Sequence, residues 1–206
     1  MPSKALGNLT ERLADIDQLL NAHTAITKFK RAEQAATQAG GQLAQVAQVI
    51  HALVSNPGAG KPREVDAINR AAFVLSLAHF QGFVDELHAE LGTIMLKGKA
   101  ADPAAVIKLV KPARSNPHVN IINQMFAGIG VYELMESIRW QRCDNKTVKT
   151  RLTNYLETRN KIAHGSKEAI RKSKVVQLKQ FVEILADKLD EKAATKARLI
   201  LGKAPW

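Results

Sequence analysis

Apolar side chains return at three- and four-residue intervals almost from end to end of this chain, and no stretch sustains the alternation of a half-buried strand. That periodicity predicts an all-α fold, because the helical repeat is what gathers residues so spaced onto one buried face. A first helix is expected over about 9–38, with Leu9, Leu13, Ile16, Leu20 and Ala25 or Ile26 inward. Asn8 and Glu11 have the spacing of a capping box at its start, and Gly40-Gly41 breaks it. An alanine- and glutamine-rich helix over 42–54 then runs into Ser-Asn-Pro-Gly-Ala-Gly-Lys-Pro, residues 55–62, the densest cluster of turn formers in the sequence.

The longest helical pattern covers about 63–96 and carries Val65, Ile68, Ala72, Leu75, Phe80 or Ala78, Phe83, Leu87, Leu91 and Ile94. It is the expected central helix. Asp102 as cap and Pro103 at the first helical position open a short helix to about Val110, closed off by Pro112 and Pro117. Residues 119–139 read as an apolar helix or a pair of helices interrupted at Gly128-Ile129-Gly130. Asp144 caps the next helix, whose stripe is Val148, Leu152, Tyr155 or Leu156, Arg159 and Ile162 or Ala163. Gly165 stops it, and a last amphipathic helix over about 173–199 buries Val176, Phe181, Ile184 or Leu185, and Leu189. The expected organisation is an N-terminal helical extension (1–54), a main helical bundle (63–199) and a tail (200–206).

Several chemistries find no support. The single cysteine, Cys143, can form neither an internal disulfide nor a paired-cysteine zinc site. No two of the six histidines are three or four residues apart, the spacing that sets two imidazoles on one helix face for a metal. Lys61 follows Gly60, but a phosphate loop needs glycine at position 55 and Ser or Thr at 62, which are Ser and Pro here. No Gly-x-Ser-x-Gly elbow exists, and no cofactor or metal is expected. No apolar run reaches the roughly 18–20 residues of a membrane span, and the first twenty residues lack a signal-peptide core, so the expected location is the cytoplasm, with no membrane contact.

Charge narrows the partner. The chain carries 30 Lys plus Arg against 19 Asp plus Glu, a formal +11, and residues 111–206 hold 19 of the basic and 9 of the acidic side chains. Within 139–179 lie twelve basic residues against Asp144, Glu157 and Glu168. A basic surface releases counterions from phosphate backbones, which makes nucleic acid the leading partner, with acidic protein or anionic lipid behind it. A solvated, charge-solubilised face is the alternative reading.

Residues 157–165 read Glu-Thr-Arg-Asn-Lys-Ile-Ala-His-Gly. Arg followed five positions later by His is expected roughly 0.3 times by chance at this composition. Requiring Asn beside the Arg lowers that to about 0.016. Arg159 falls on the apolar stripe, where an unpaired guanidinium is costly to bury, so a cleft or interface is expected there rather than a dry core. His164 falls at the helix end beside a chain-reversing glycine. The plain structural alternative is that Arg159 and Asn160 tie up the last carbonyls while His164-Gly165 is only a stop signal.

Arg159-Asn160-Lys161-Ile162-Ala163-His164 resembles the Arg-Asn-x-x-x-His signature of the HEPN superfamily of helical-bundle proteins, and the order of helices over 63–198 is compatible with it. The similar subgroup is the bacterial RiboL-PSP type, in which an Asn-rich apolar segment, here 116–129, precedes the motif. The resemblance implies an HEPN-like bundle with extra N-terminal helices, and metal-independent endoribonuclease activity from a homodimer whose two motifs share one composite active site. Toxin–antitoxin or antiphage defence is the implied setting. Arg159 and His164 would be catalytic and Asn160 would position them or the substrate. Glu157, common at its place in the family, would support the site. Many toxin members carry, two residues after the histidine, a tyrosine that a partner antitoxin modifies; here that residue is Ser166, a departure that puts such regulation in doubt.

The chemistry fits RNA, which carries its own nucleophile. A histidine can take the 2′-OH proton, an arginine can neutralise charge building on phosphorus, and the products would be a 2′,3′-cyclic phosphate and a 5′-OH. Lys161, Lys167, Arg171, Lys172 and Lys174 would hold the strand by its phosphates. Two rivals stand beside this reading. One is a noncatalytic HEPN-type module that binds RNA or protein; the other is an immunity component with only protein partners.

Overall fold

The computed structural model describes residues 1–39, 41, 45, 64–111 and 116–206. Among these the chain forms six helices and no strand, in line with the helical periodicity: α1 (Lys4–Ala39), α2 (Glu64–Leu96), α3 (Pro103–Val110), α4 (Val119–Ala127), α5 (Asn145–Ala163) and α6 (Lys172–Leu201). The expected helix over 42–54, the run 55–62 and Pro112 lie outside the described residues, Gln45 apart.

α1 begins earlier than its sequence suggests. Ser3 Oγ accepts the Leu6 amide (3.1 Å), and Glu90 of α2 accepts the amides of Lys4 (3.2 Å) and Ala5 (3.1 Å), so the helix start is capped across the fold. Asn8, expected as the cap, lies inside the helix and donates to Glu86 (3.0 Å). The helix ends at Ala39, and Gly41 takes φ +67°, where the sequence signals a break. Ala5, Leu9, Leu13, Ile16 and Leu20 are buried along α2; Ala25 is exposed and Ile26 half-buried. Each fully buried Leu or Ile contributes about 1.5–3 kcal/mol of gross stabilisation, whereas the half-exposed Arg12–Glu86 pair is worth ~1 kcal/mol or less. The apolar stripe therefore docks α1, and the polar pairs set its register.

α2 is the central element. Phe73, Leu77, Phe80, Phe83, Leu87 and Leu91 are buried, and α1, α3, α4, α5 and α6 all touch it. Of the expected stripe, Val65, Ile68, Leu75 and Ile94 are only half-buried, because a helix packed on several sides buries a wider face than one stripe. Asp102 caps α3 by accepting the Ala105 amide (3.1 Å), with Pro103 behind it. α6 buries Val175, Leu178, Phe181, Val182, Leu185 and Leu189, among them Phe181, Leu185 and Leu189 of the expected stripe; Val176 is only half-buried, and Ile184, the alternative to Leu185, is exposed. Trp206 folds back as a half-buried side chain on the same core.

The expected second helix after Gly130 does not form. Residues 128–143 run as successive turns, in which Glu133 (φ 54°), Ser137 (φ 59°) and Arg142 (φ 61°) are left-handed and Trp140 and Cys143 exchange backbone hydrogen bonds. Apolar residues 131, 134, 135 and 138 still reach the core, which is why their spacing imitates a helix.

Candidate functional site

α5 carries the motif and is fixed at both ends by the residues its sequence offers. Asp144 accepts the Thr147 amide (2.7 Å), and the Thr147 side chain, together with that amide, holds its carboxyl below the usual carboxylate range. Val148, Leu152 and Leu156 face the core. At the far end His164 is the C-cap, the Gly165 amide donates to Ile162 O (3.0 Å) and the Ser166 amide to Lys161 O (2.9 Å), with Gly165 at φ +86°. These two bonds make a Schellman closure, and glycine supplies the left-handed conformation it requires.

Arg159 is half-buried and held on three sides. Its Nη1 donates to Asn116 Oδ1 (2.6 Å) and to Asn160 Oδ1 (3.2 Å), and its Nη2 donates to Gln81 Oε1 (3.2 Å). Asn116 Nδ2 also donates to Asn160 Oδ1 (3.2 Å), which closes a ring of side-chain hydrogen bonds. The guanidinium is thus bonded to carboxamide oxygens from α2, from the segment before α4 and from α5 itself. Each of these acceptors is neutral. The cradle therefore fixes the orientation of the fork without cancelling its charge, which leaves a positioned cation for an incoming anion.

His164 stands apart from this ring. It is exposed at the helix end and its imidazole makes no hydrogen bond among the described residues. Glu157 is exposed without a partner among the described residues. Lys161, Lys167 and Arg171 are exposed, whereas Lys172 and Lys174 are half-buried. Lys172 Nζ donates to Thr24 Oγ1 of α1, and Lys174 Nζ sits 5.6 Å above the Phe73 ring centroid. Three of the five basic candidates are thus open to solvent, and two are also tied to α1 and α2.

Asn116 and Gln81 are the residues that motif reasoning missed. Asn116 opens the Asn-rich segment already noted, but nothing in its own neighbourhood pairs it with a residue 43 positions away. Gln81 is a polar residue within a core helix, and the sequence offers no sign of its role. Among the remaining histidines, His88 is fully buried, edge-on to Phe126; burial lowers its pKa, against the pull of the Met125 backbone. Burial also lowers the pKa of His79, against the pull of Asp15 (3.4 Å), and that of His23, which Lys172 depresses further. Among the described residues no three His, Cys, Asp or Glu side chains converge as a metal site, and no helix is long and apolar enough to cross a membrane.

A family model described as RiboL-PSP-HEPN matches residues 43–195, a span that holds α2 to α5, most of α6 and the whole motif. No curated protein and no solved structure matches the chain.

Proposed function

The chain belongs to the RiboL-PSP-HEPN family, and on that premise we propose that it is a metal-independent endoribonuclease, a toxin or antiphage defence component acting as a homodimer. The observation that carries this reading is the neutrality of the Arg159 cradle: among the described residues the guanidinium is oriented by carboxamide oxygens, on the helix that ends in His164. No carboxylate among the described residues pairs with it, so its charge is available to a phosphodiester.

In the proposed reaction the 2′-oxygen attacks the adjacent phosphorus while His164 accepts its proton. The P–O5′ bond breaks as the cyclic phosphate forms, and the departing 5′-oxygen is protonated, by His164 of the second subunit where two motifs meet. Arg159 neutralises the nonbridging oxygens throughout, and Asn160 orients Arg159. Lys161, Lys167 and Arg171 hold the strand by its phosphates, with Lys172 and Lys174 behind them, and Glu157 supports the site. DNA resists because it lacks the attacking hydroxyl. A partner antitoxin or defence assembly would restrain the activity.

The test is incubation of the purified protein with total RNA and a chelator, followed by sequencing of the ends formed. Cyclic phosphates and 5′-hydroxyls are expected. His164→Ala and Arg159→Ala should each lower cleavage at least about 100-fold with helix content and dimer unchanged. Wild-type cleavage by either purified variant would remove the active-site assignment.

A second reading, a noncatalytic HEPN-type module for RNA or protein, is favoured by the complete Schellman closure that His164 and Gly165 provide without any catalytic task. RNA bound with steep salt dependence yet left intact would decide for it.

A further inference from the structure

The turns before α5 are held more firmly than a simple connection requires. Asn145 Nδ2 donates to Met135 O (2.9 Å) and Ile138 O (3.0 Å), Asn123 Oδ1 accepts the Met135 amide (2.8 Å), and Trp140 and Cys143 exchange both backbone bonds at 3.0 Å. Arg142 is left-handed (φ 61°), a conformation that a non-glycine residue keeps only where its surroundings impose it, and such residues concentrate at binding sites.

This framework presents Arg139, Trp140 and Arg142 on a cleft of about 460 Å³. Both arginines are exposed and make no ion pair or side-chain hydrogen bond among the described residues. Asp144, the acidic residue on the cleft wall, is engaged in capping α5. Trp140 is half-buried and rests on Phe181 (ring centroids 5.7 Å apart), which meets Tyr155 (5.3 Å), which meets Phe73 (6.0 Å). The open part of the indole is therefore backed by a rigid aromatic stack.

The same helix links this cleft to the motif. Thr147 lines the cleft, and Arg151, Tyr155 and Arg159 follow it at four-residue steps, which places them along one ridge of α5. The rise from Thr147 to Arg159 is about 18 Å. Arginines interleaved with an aromatic plane suit a single strand, whose unpaired bases can stack while its phosphates meet the cations. A duplex hides its base faces.

We propose that the Arg139–Trp140–Arg142 turn is a docking platform for single-stranded RNA at the end of α5 opposite the motif, holding the strand several nucleotides from the bond to be cut. For the identity of the strand as substrate this rests on the ribonuclease reading above; the platform itself rests on the cleft.

The chain has two tryptophans, so Trp206→Phe leaves Trp140 as the sole indole reporter. A 2′-O-methyl single strand, which has no attacking hydroxyl, is titrated into that protein while its own anisotropy is followed through a terminal dye. Quenching of Trp140 in step with the anisotropy change is expected. Arg139→Gln/Arg142→Gln, which leaves the backbone demands of the turn unaltered, should weaken binding about tenfold and flatten the log–log salt slope by about 1.4. Four results would overturn the platform: no binding, binding without quenching, a double variant that binds as tightly as its parent, or a duplex that competes as well as a single strand. None of these involves cleavage. Quenching together with intact total RNA would leave the platform standing and remove the nuclease, whereas cleavage by a protein whose Trp140 stays silent would do the reverse.

Discussion

At the scale of single residues, the choice of carboxamides over carboxylates around Arg159 leaves the guanidinium without a compensating charge among the described residues. A carboxylate here would compensate the charge of the half-buried guanidinium, whereas Asn116, Asn160 and Gln81 supply neutral oxygens. Asn116→Asp exchanges one NH₂ for an oxygen, which gives up the bond to Asn160 Oδ1 (3.2 Å) and turns the 2.6 Å contact into an ion pair that offsets the loss. We expect that variant to be no less stable in urea than the wild type and to cleave RNA at least about tenfold more slowly, the loss of roughly 1.4 kcal/mol of transition-state stabilisation. Asn116→Ala, which removes the contact but leaves the charge uncompensated, should lose less. If the Asn116→Asp protein cleaves normally, the charge of Arg159 is not what the site uses. Arg159 and Asn160 are legible in the sequence because they sit side by side in a short motif. Asn116 and Gln81 are not, because a hydrogen bond across 43 or 78 residues leaves no local pattern.

At the scale of elements, the helices that carry their own stop signals are the ones the sequence makes plain. α3 and α5 start at Asp102 and Asp144, and α5 stops at Gly165, each through a contact within a few residues. Where the stabilising partner is distant, periodicity misleads. α1 starts at Lys4 because Glu90 caps it from α2, and 131–138 are apolar at helical spacing although they form turns pinned by Asn123 and Asn145. The end of α5 matters most, since the His164 imidazole makes no hydrogen bond among the described residues and its backbone is placed by the last helical bond, to Asn160 O (2.9 Å), and by the closure that follows. Gly165→Ala forces an L side chain into φ +86°, at a cost of about 1–2 kcal/mol, with open space around the new Cβ, so the penalty is conformational and not steric. Melting should fall by several degrees and cleavage should fall with it as the last turn frays, whereas Gly165→Asn should be milder in both. Unchanged amide exchange at residues 161–166 in the Ala variant would show that the closure does not depend on the glycine.

At the scale of the whole molecule, three histidines on α1 and α2 are expected to weaken the fold in acid. His23 lies on α1, and His79 and His88 lie on α2; burial is the main cause of a lowered pKa in each. A folded-state pKa below the unfolded value of about 6.5 means that the unfolded chain binds more protons as the pH drops. Their contribution to stability is therefore complete above about pH 6.5 and is lost as the pH falls through the folded values. Asp190 acts in the opposite sense. Burial raises its pKa, so its contribution is present below the unfolded carboxylate value and is lost as the pH rises through the folded one. The histidines titrate within this range whereas Asp190 opposes them, so on the histidine contribution the urea midpoint should be lower near pH 5 than near pH 7.5. His88→Leu separates the terms, since it removes a buried titratable ring from a site already lined by Phe126. That variant should lose less of its midpoint on acidification than the wild type. Parallel acid profiles for the two proteins would mean that His88 takes no part, leaving the acid limb to His23 and His79 at the contact between α1 and the rest of the bundle.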